Sequence, residues 1–371
     1  MEDASFATFQ PVPTPAPAAP RVESPRLRSV PFTPDYSSMD ADERPTLSLG
    51  GSAAKTLKIF SIGARMKGRS IVDDTDLTPD EIAEVLETAV RLKRMQRRGE
   101  AHTYLSGKTL GMIFQHPSTR TRVAFESGMA QLGGHALFLC MNDLQLRRGE
   151  TIADTAKVLS RLVDVLVARV AKHTDIVELA ENATVPVING LTDRCHPCQA
   201  LADMMTLQER FGALKGLKLA YLGDGNNVAS SLILDGAAMG VSVTVASPVG
   251  HQPPRDILTQ ASWLAAASGA TISVTSDPMA AVADSDAVYT DVHVSMGQVD
   301  GAARAVALAP YKVTAAVMAA AKPGAIFMHC LPMHRGEEAD AEVADGAQSV
   351  IFDQAENRLH MHKALLMHLL C

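Results

Sequence analysis

Short apolar runs alternating with stretches of helical period recur along most of this chain, and that alternation constrains the fold more than any other feature. Runs at 109–114, 163–169 and 185–188 precede helical patterns at 120–132, 176–181 and 199–210. Further runs stand at 217–222, 241–246, 271–275, 287–290 and 325–329. Strands that are apolar throughout are covered on both faces, which a parallel sheet with crossover helices provides. The chain is therefore expected to be α/β, with two doubly wound parallel-sheet domains of similar size divided near 212–216. At about 150 residues per domain, 371 residues also fit two domains better than one.

The regular pattern begins at Thr78-Pro-Asp-Glu81, where Thr78 caps a helix, Pro79 takes its first position and acids fill the first turn. Ile82, Val85, Leu86, Ala89 and Leu92 then follow at helical spacing, and the basic run 91–98 suits the helix C-terminus. Ahead of it, residues 1–54 are rich in Pro, Ser and Ala, including Pro11, Pro13, Pro15, Pro17 and Pro20, and have no period. They are expected to be a disordered extension. Glu2, Asp3, Asp40, Asp42 and Glu43 argue against an organelle-targeting peptide, which is Arg-rich and poor in acids. An apolar helix at 364–370 would pack back on either domain.

Composition removes several classes of partner. Aromatic residues are 4% of the chain and the net charge is −7, so neither a base-stacking platform nor a broad cationic surface for nucleic acid is expected. No apolar run approaches the roughly 18 residues that cross a bilayer, so no membrane partner is expected either. Cys140, Cys195, Cys198, Cys330 and Cys371 form an odd set in a long chain, which fits free thiols in a reducing compartment.

In parallel α/β sheets, ligands sit beyond the carboxyl ends of the strands, so the residues after each run are the candidates. After 109–114 comes Gln115-His-Pro-Ser-Thr-Arg-Thr-Arg122, with Ser118 placed to cap the next helix and Gly133-Gly134 to stop it. Helix amides, three hydroxyls (Ser118, Thr119, Thr121) and two guanidiniums (Arg120, Arg122) would converge there on a phosphate. The other reading is an ordinary capped helix with solvated arginines. After 185–188, the segment around Cys195-His-Pro-Cys-Gln199 admits a redox dithiol, zinc ligation by Cys195, His196 and Cys198, or His196 and Gln199 donating hydrogen bonds to a polarised carbonyl.

After 217–222, Gly223-Asp-Gly-Asn-Asn-Val228 imitates a dinucleotide fingerprint. Val228 replaces the third Gly, and Ser247 stands where a ribose-binding acid belongs, so a dinucleotide is rejected. The turn still presents Asn227 at a helix start, where its amide would read a carboxylate. Two phosphate-loop near misses also fail: 63–70 has Arg69 for the required Lys, and Gly107-Lys108-Thr109 lacks the leading Gly. Asp291 with Ser295 would grip an α-amino and α-carboxylate pair. Cys330 follows the last run, where a role in catalysis competes with simple core packing. His360, His362 and His368 imitate a metal cluster but read as helix surface and tail, and no metal or cofactor is expected.

Taken together and in this order, Ser118-Thr-Arg-Thr-Arg122, His196-Pro-Cys-Gln199, Asp291-x-x-x-Ser-Met-Gly297 and His329-Cys-Leu-Pro332 strongly resemble the ornithine carbamoyltransferases. The likeness runs from about Ile71 to the C-terminus and omits the extension. It implies a carbamoyl-phosphate domain (69–210 with 355–371, the last helix returning to the first domain) and an ornithine domain (211–354). It also implies a homotrimer with active sites between subunits, acting in the cytoplasm.

By motif match, Ser118, Thr119, Arg120 and Thr121 would hold the phosphate. Arg169, His196, Gln199 and the Cys330-Leu331 backbone would hold the carbamoyl end, with help from Arg358, and His135 would reach a neighbouring subunit's site. Asn227, Asp291, Ser295 and Met296 would hold ornithine, and Arg120, His196, Asp291 and Cys330 would carry catalysis. A Cys330–Asp291 pair would promote loss of the amine proton. The implied products are L-citrulline and phosphate. Transfer to putrescine or an N-acylated ornithine, a thiol redox protein using Cys195 and Cys198, and a non-catalytic scaffold are the competing readings. Two departures stand out: His293 where the family commonly has Trp, and Gln115-His116 where an acidic-basic pair is frequent.

Overall fold

The computed structural model describes residues 65–294 and 300–371. The expected extension at 1–54 and the site candidates Ser295 and Met296 lie outside the described residues. Strands β1 (Thr109–Phe114), β2 (His135–Cys140), β3 (Val165–Arg169) and β4 (Val187–Leu191) form one sheet. Strands β5 (Lys218–Leu222), β6 (Ser242–Ala246), β7 (Ile272–Thr275), β8 (Ala287–Thr290) and β9 (Ile326–His329) form the other.

Around the first sheet run α1 (Pro79–Arg97), α2 (Thr119–Gln131), α3 (Ile152–Leu159), α4 (His173–Asn182) and α5 (Pro197–Phe211). The second carries α6 (Asn227–Met239), α7 (Arg255–Ser268), α8 (Pro278–Val282), α9 (Gly301–Leu308), α10 (Ala315–Ala320) and α11 (Ala341–Ala344), and α12 (Ile351–Leu370) ends the chain. Among the described residues, no helix is long and apolar enough to cross a membrane.

All strand pairs are parallel, in the orders β2-β1-β3-β4 and β7-β6-β5-β8-β9. The alternation of runs and helices thus gives two α/β sheets, as expected. In each order the winding reverses once, between β1 and β3 and between β5 and β8. Those switch points open crevices beyond the strand ends, where loops diverge to opposite sides of the sheet. The loops after β1, β3, β5 and β8 are therefore the ones placed to receive a ligand.

Local chemistry sets several boundaries. Thr78 Oγ1 accepts from Glu81 N at 3.3 Å and Glu81 Oε2 accepts from Thr78 N at 2.9 Å, a reciprocal cap that starts α1. Ile82, Val85, Leu86, Ala89 and Leu92 form its buried stripe. After α2, Gly133 adopts φ +82°, a left-handed turn that favours glycine. The Gly-Gly pair stops the helix as expected, but the chain then enters β2, which the apolar runs did not announce. This edge strand is only partly covered, so it lacks the continuous apolar signature of a strand buried on both faces.

The terminal helix corrects a second expectation. His360, His362 and His368 are buried, because α12 packs against α1, α2 and α5 instead of lying on the surface. The His362 ring stacks on Phe125 with centroids 3.8 Å apart, and His368 Nε2 lies 2.9 Å from Thr88 Oγ1. Of the two homes the sequence left open for 364–370, the structure takes the first sheet's helices.

Candidate active site

The loop after β1 delivers the first part of the site. Ser118 occupies the N-cap of α2 with extended backbone (φ −154°, ψ 110°), yet its side chain makes no capping bond. The expected hydroxyl cap is absent, which leaves first-turn amides available to an anion. Arg120 turns inward, whereas Arg122 does not join it. Arg122 bonds Glu126 at 3.0 Å and lies 3.6 Å above the Phe138 ring. Side chains two apart on a helix do not face each other, which is why the predicted pair of converging guanidiniums fails.

Two other arginines take that place. Arg169 ends β3, beside a register shift in its pairing with β4, and Arg358 projects from α12. Burial pushes the Arg169 guanidinium down to about 10, and the charges of Arg358 and Arg120 push the same way. Burial also lowers Arg120 and Arg358. Among the described residues none of the three pairs with a carboxylate. Arg358 Nη2 donates only to Thr121 Oγ1, at 2.5 Å, and the Nε atoms of all three are buried without a partner. Gathering three unpaired cations costs energy, and an anion placed among them would offset that cost. Gln115 ties the two loops together, since its Oε1 accepts from Ala171 N at 2.6 Å.

The loop after β4 supplies neutral groups. Pro197 opens α5 with His196 at the N-cap. Burial holds the His196 imidazole well below its usual range, reinforced by Arg358 and Arg169, so it stays neutral. Its backbone N–H donates to Ser231 Oγ at 2.8 Å. Gln199 departs from its expected donor role: its Nε2 donates to Asp203 Oδ1 at 2.9 Å, and its Oε1 is buried without a partner. The amide oxygen is therefore left as an acceptor, with one N–H engaged behind it.

Neither cysteine reading survives. Both thiols are free and buried; burial pushes Cys198 up to about 12 and Cys195 further. Redox exchange needs a thiolate, which these surroundings suppress. Cys195 groups with Asp73 and His173, not with His196 or Cys198. There, His173 turns Nδ1 to the sulfur and Nε2 to the carboxylate, and Arg194 already pairs with Asp73 at 3.0 Å. The Asp73 carboxylate is thus already neutralised by a guanidinium, and the expected zinc set of Cys195, His196 and Cys198 is not brought together.

The second sheet contributes the polar wall. Asn226 caps α6: its Oδ1 accepts from Val228 N and Ala229 N, while its Nδ2 donates to Asp291 Oδ2 at 2.7 Å. Sequence reasoning passed over Asn226, although an Asn just before a helical run is a capping signal. Asn227 does open the helix, with one amide proton given to Thr192 O at 2.5 Å. Asp291 Oδ1 accepts from Val292 N at 2.8 Å and from the Cys330 thiol at 2.9 Å. Burial and Asp291 both push the Cys330 thiol well up, so it keeps its proton and acts as a donor.

Below this turn, Leu331 N donates to His329 Nδ1 at 2.8 Å, and His329 Nε2 lies 3.3 Å from Glu338 in a wholly buried pair. That N–H is therefore engaged within its own turn. His293, where the family resemblance has Trp, is buried with Nε2 unpartnered. Ser247 Oγ donates to Gly223 O at 2.5 Å, so the rejected dinucleotide turn is held by a side chain from the end of β6. His135 is exposed at the start of β2, level with Thr109 at the N-terminal end of the sheet, opposite the end that carries Ser118. The structure therefore joins Arg120, Thr121, Arg169, His196, Gln199, Asp291, Cys330 and Arg358, and it excludes His135 from its own chain's cluster.

Comparison with known proteins matches each half of the chain separately. Residues 69–209 match the carbamoyl-P binding domain of the aspartate/ornithine carbamoyltransferases, and residues 215–369 match their Asp/Orn binding domain. The chain is 54% identical over 306 residues to the ornithine carbamoyltransferase of Pyrococcus abyssi, covering 82% of this chain and 96% of that one. It is also 54% identical over 302 residues to the anabolic ornithine carbamoyltransferase of Pyrococcus furiosus, covering 81% and 96%. The solved structure of the Pyrococcus furiosus ornithine carbamoyltransferase superposes with a TM-score of 0.80 at 53% identity, covering 82% and 98%. That of Gloeobacter violaceus gives 0.73 at 41% identity, covering 82% and 99%.

Proposed function

Because this chain belongs to the aspartate/ornithine carbamoyltransferase family, we propose how its own residues divide the labour of moving a carbamoyl group from carbamoyl phosphate to the δ-amine of L-ornithine. The reaction is that of an ornithine carbamoyltransferase and yields L-citrulline and phosphate. One observation supports this division of labour above the others: three guanidiniums that form no ion pair among the described residues stand beside a neutral imidazole and an unpartnered amide oxygen.

Arg120, Arg169 and Arg358 clamp the carbamoyl phosphate dianion, together with the α2 amides and the hydroxyls of Ser118, Thr119 and Thr121. Thr121 accepts from Arg358, so its own proton is left for the phosphate. His196 donates to the carbonyl oxygen as charge develops there, while the Gln199 oxygen and the 330–331 carbonyls accept from the carbamoyl NH₂. Asp291 takes the α-ammonium of ornithine, and Asn227, Ser295 and Met296 complete that end.

The δ-amine, with a reference pKa of about 10.4 by analogy with Lys, must lose a proton to solvent before it attacks. Its nitrogen then bonds the carbonyl carbon, the carbon–oxygen bond to phosphorus breaks, and phosphate leaves with the electron pair and takes the second amine proton. Fixed donors already in place lower the barrier, because they need no reorganisation as charge develops. Cys330 does not enter as a base, since it holds its proton for Asp291.

We assign 69–210 with 355–371 to the carbamoyl-phosphate domain and 211–354 to the ornithine domain. The assembly is read as a homotrimer in which His135, remote from its own chain's cluster, approaches a neighbour. The setting is read as the cytoplasm, where five free thiols persist. Purified protein given carbamoyl phosphate and ornithine is expected to release citrulline and phosphate in equal amounts and to sediment as a trimer. Preferred turnover of putrescine or an N-acylated ornithine would overturn the choice of amine. The Cys195→Ser, Cys198→Ser double variant is expected to keep its citrulline turnover, and a large loss in a variant that still melts cooperatively would restore thiol chemistry.

A further inference from the structure

Behind Gln199 lies a buried polar network that the transfer chemistry does not use. Asp203 stands one helical turn after Gln199 on α5 and is fully buried. Its Oδ1 accepts from Gln199 Nε2 at 2.9 Å and from Gln354 Nε2 at 2.7 Å; its Oδ2 accepts from Tyr289 O–H at 3.1 Å. Gln354 Nε2 also lies 3.1 Å from Tyr289 Oη, and its Oε1 accepts from His329 N at 2.9 Å. The network therefore joins α5, β8, β9 and α12 at one carboxylate.

All three hydrogen bonds to this carboxylate are donated to it, and an ionised carboxylate only accepts. Burial pushes Asp203 up to about 7, while the three donated bonds and Arg358 pull it back. An amide has two faces of opposite hydrogen-bonding character. Once the Gln199 nitrogen is committed to Asp203, its oxygen must face the other way, where it is buried and unpartnered.

We infer that Asp203 is a positioning residue that fixes the sense of the Gln199 amide and so makes the site select a carbamoyl group over an acetyl group of the same shape. This rests on the carbamoyl-transfer reading of the site. Carbamoyl phosphate and acetyl phosphate differ only in NH₂ against CH₃. A fixed acceptor is satisfied by the NH₂ and stranded by the methyl, and a site built to bond a substrate N–H rejects the analogue that lacks it. With the amide free to turn, its own NH₂ would meet that of the substrate, and the discrimination would fade.

The test compares wild type, Asp203→Leu and Asp203→Asn. It reads KM for carbamoyl phosphate, the inhibition constant of acetyl phosphate as its competitor, kcat and thermal melting. Leucine has a similar volume and no acceptor, whereas asparagine keeps one oxygen that Gln199 can still reach. In Asp203→Leu, the preference for carbamoyl over acetyl phosphate is expected to fall roughly tenfold or more, as expected for a stranded buried polar group. The change is expected mainly in the carbamoyl phosphate KM, with acetyl phosphate inhibition little altered and Asp203→Asn keeping most of the preference.

The inference fails if Asp203→Leu keeps the wild-type preference. It also fails if both ligands weaken in parallel, which is what loosened packing alone would produce, or if Asp203→Asn loses the preference as fully as leucine does. Should Asp203→Leu lack a cooperative melt, Asp203→Ala carries the same expectation. A wild type that makes no citrulline would instead refute the transferase reading itself.

Discussion

Replacing Arg120 by alanine is expected to lower kcat/KM for carbamoyl phosphate by about 10² to 10³, the usual cost of one preorganised donor to developing charge, while the unliganded protein melts no lower than the parent. The two halves of this expectation have one cause. Arg120, Arg169 and Arg358 repel one another in a buried setting and, among the described residues, none pairs with a carboxylate, so removing one is expected to relieve the folded state while crippling the clamp. A stability gain with an activity loss is the usual signature of a site that stores unfavourable charge for its ligand.

Melting with and without carbamoyl phosphate or inorganic phosphate reads the same effect from the other side. A ligand at 100 times its dissociation constant stabilises the native state by about 2.7 kcal/mol, and the variant is expected to lose most of that gain at the same ligand concentration. Wild-type turnover in Arg120→Ala would remove this residue from the mechanism. A large fall in the unliganded melting temperature would show instead that Arg120 serves the fold.

Asp291→Asn is expected to reduce kcat/KM for ornithine by a similar factor, because truncating one partner of a buried, hydrogen-bonded charge pair costs about 2–5 kcal/mol. Asp291 receives three donors, from Val292 N, the Cys330 thiol and the Asn226 amide. An asparagine presents N–H to one side of that set and has no charge for the α-ammonium of ornithine. The KM for carbamoyl phosphate is expected to change much less, because Asp291 makes no ion pair with the clamp and acts on Arg120 and Arg169 only through space.

Cys330→Ser is the informative control. A hydroxyl also donates to Asp291, so it is expected to lose far less than Asp291→Asn does. The opposite ranking, with the serine variant the more damaged, would make the sulfur a reacting group despite the burial that keeps it protonated.

The site was legible in proportion to how local its signals are. Ser118, His196 and Asp291 stand just after apolar strands, and the strand-end rule picks them out before any comparison is made. Asn226 and Asp203 were also within reach, one as a helix cap and the other four residues from Gln199 on a single helix face. Arg358 offers no such cue. It lies inside a long buried helix, and only packing against α1, α2 and α5 brings it to Thr121. Arg122 shows the converse, since its place in a run of Thr and Arg suggested the anion while helical rotation sends it to Glu126 and Phe138.

The sequence by itself determined the α/β class, eight of the nine described strands within a few residues, the cap of α1 and the strand-end loops that hold the candidate site residues. These follow from period, caps and turn residues, forces acting over a few residues of chain. Only the tertiary structure decided the strand orders, the edge position of β2, the burial of the three C-terminal histidines and the gathering of Arg120, Arg169 and Arg358. It also decided which face of the Gln199 amide looks outward, because Gln354 and Tyr289 reach Asp203 from distant parts of the chain. Such choices are made between elements far apart in sequence, by closing long loops and burying charge, and no local pattern records their outcome.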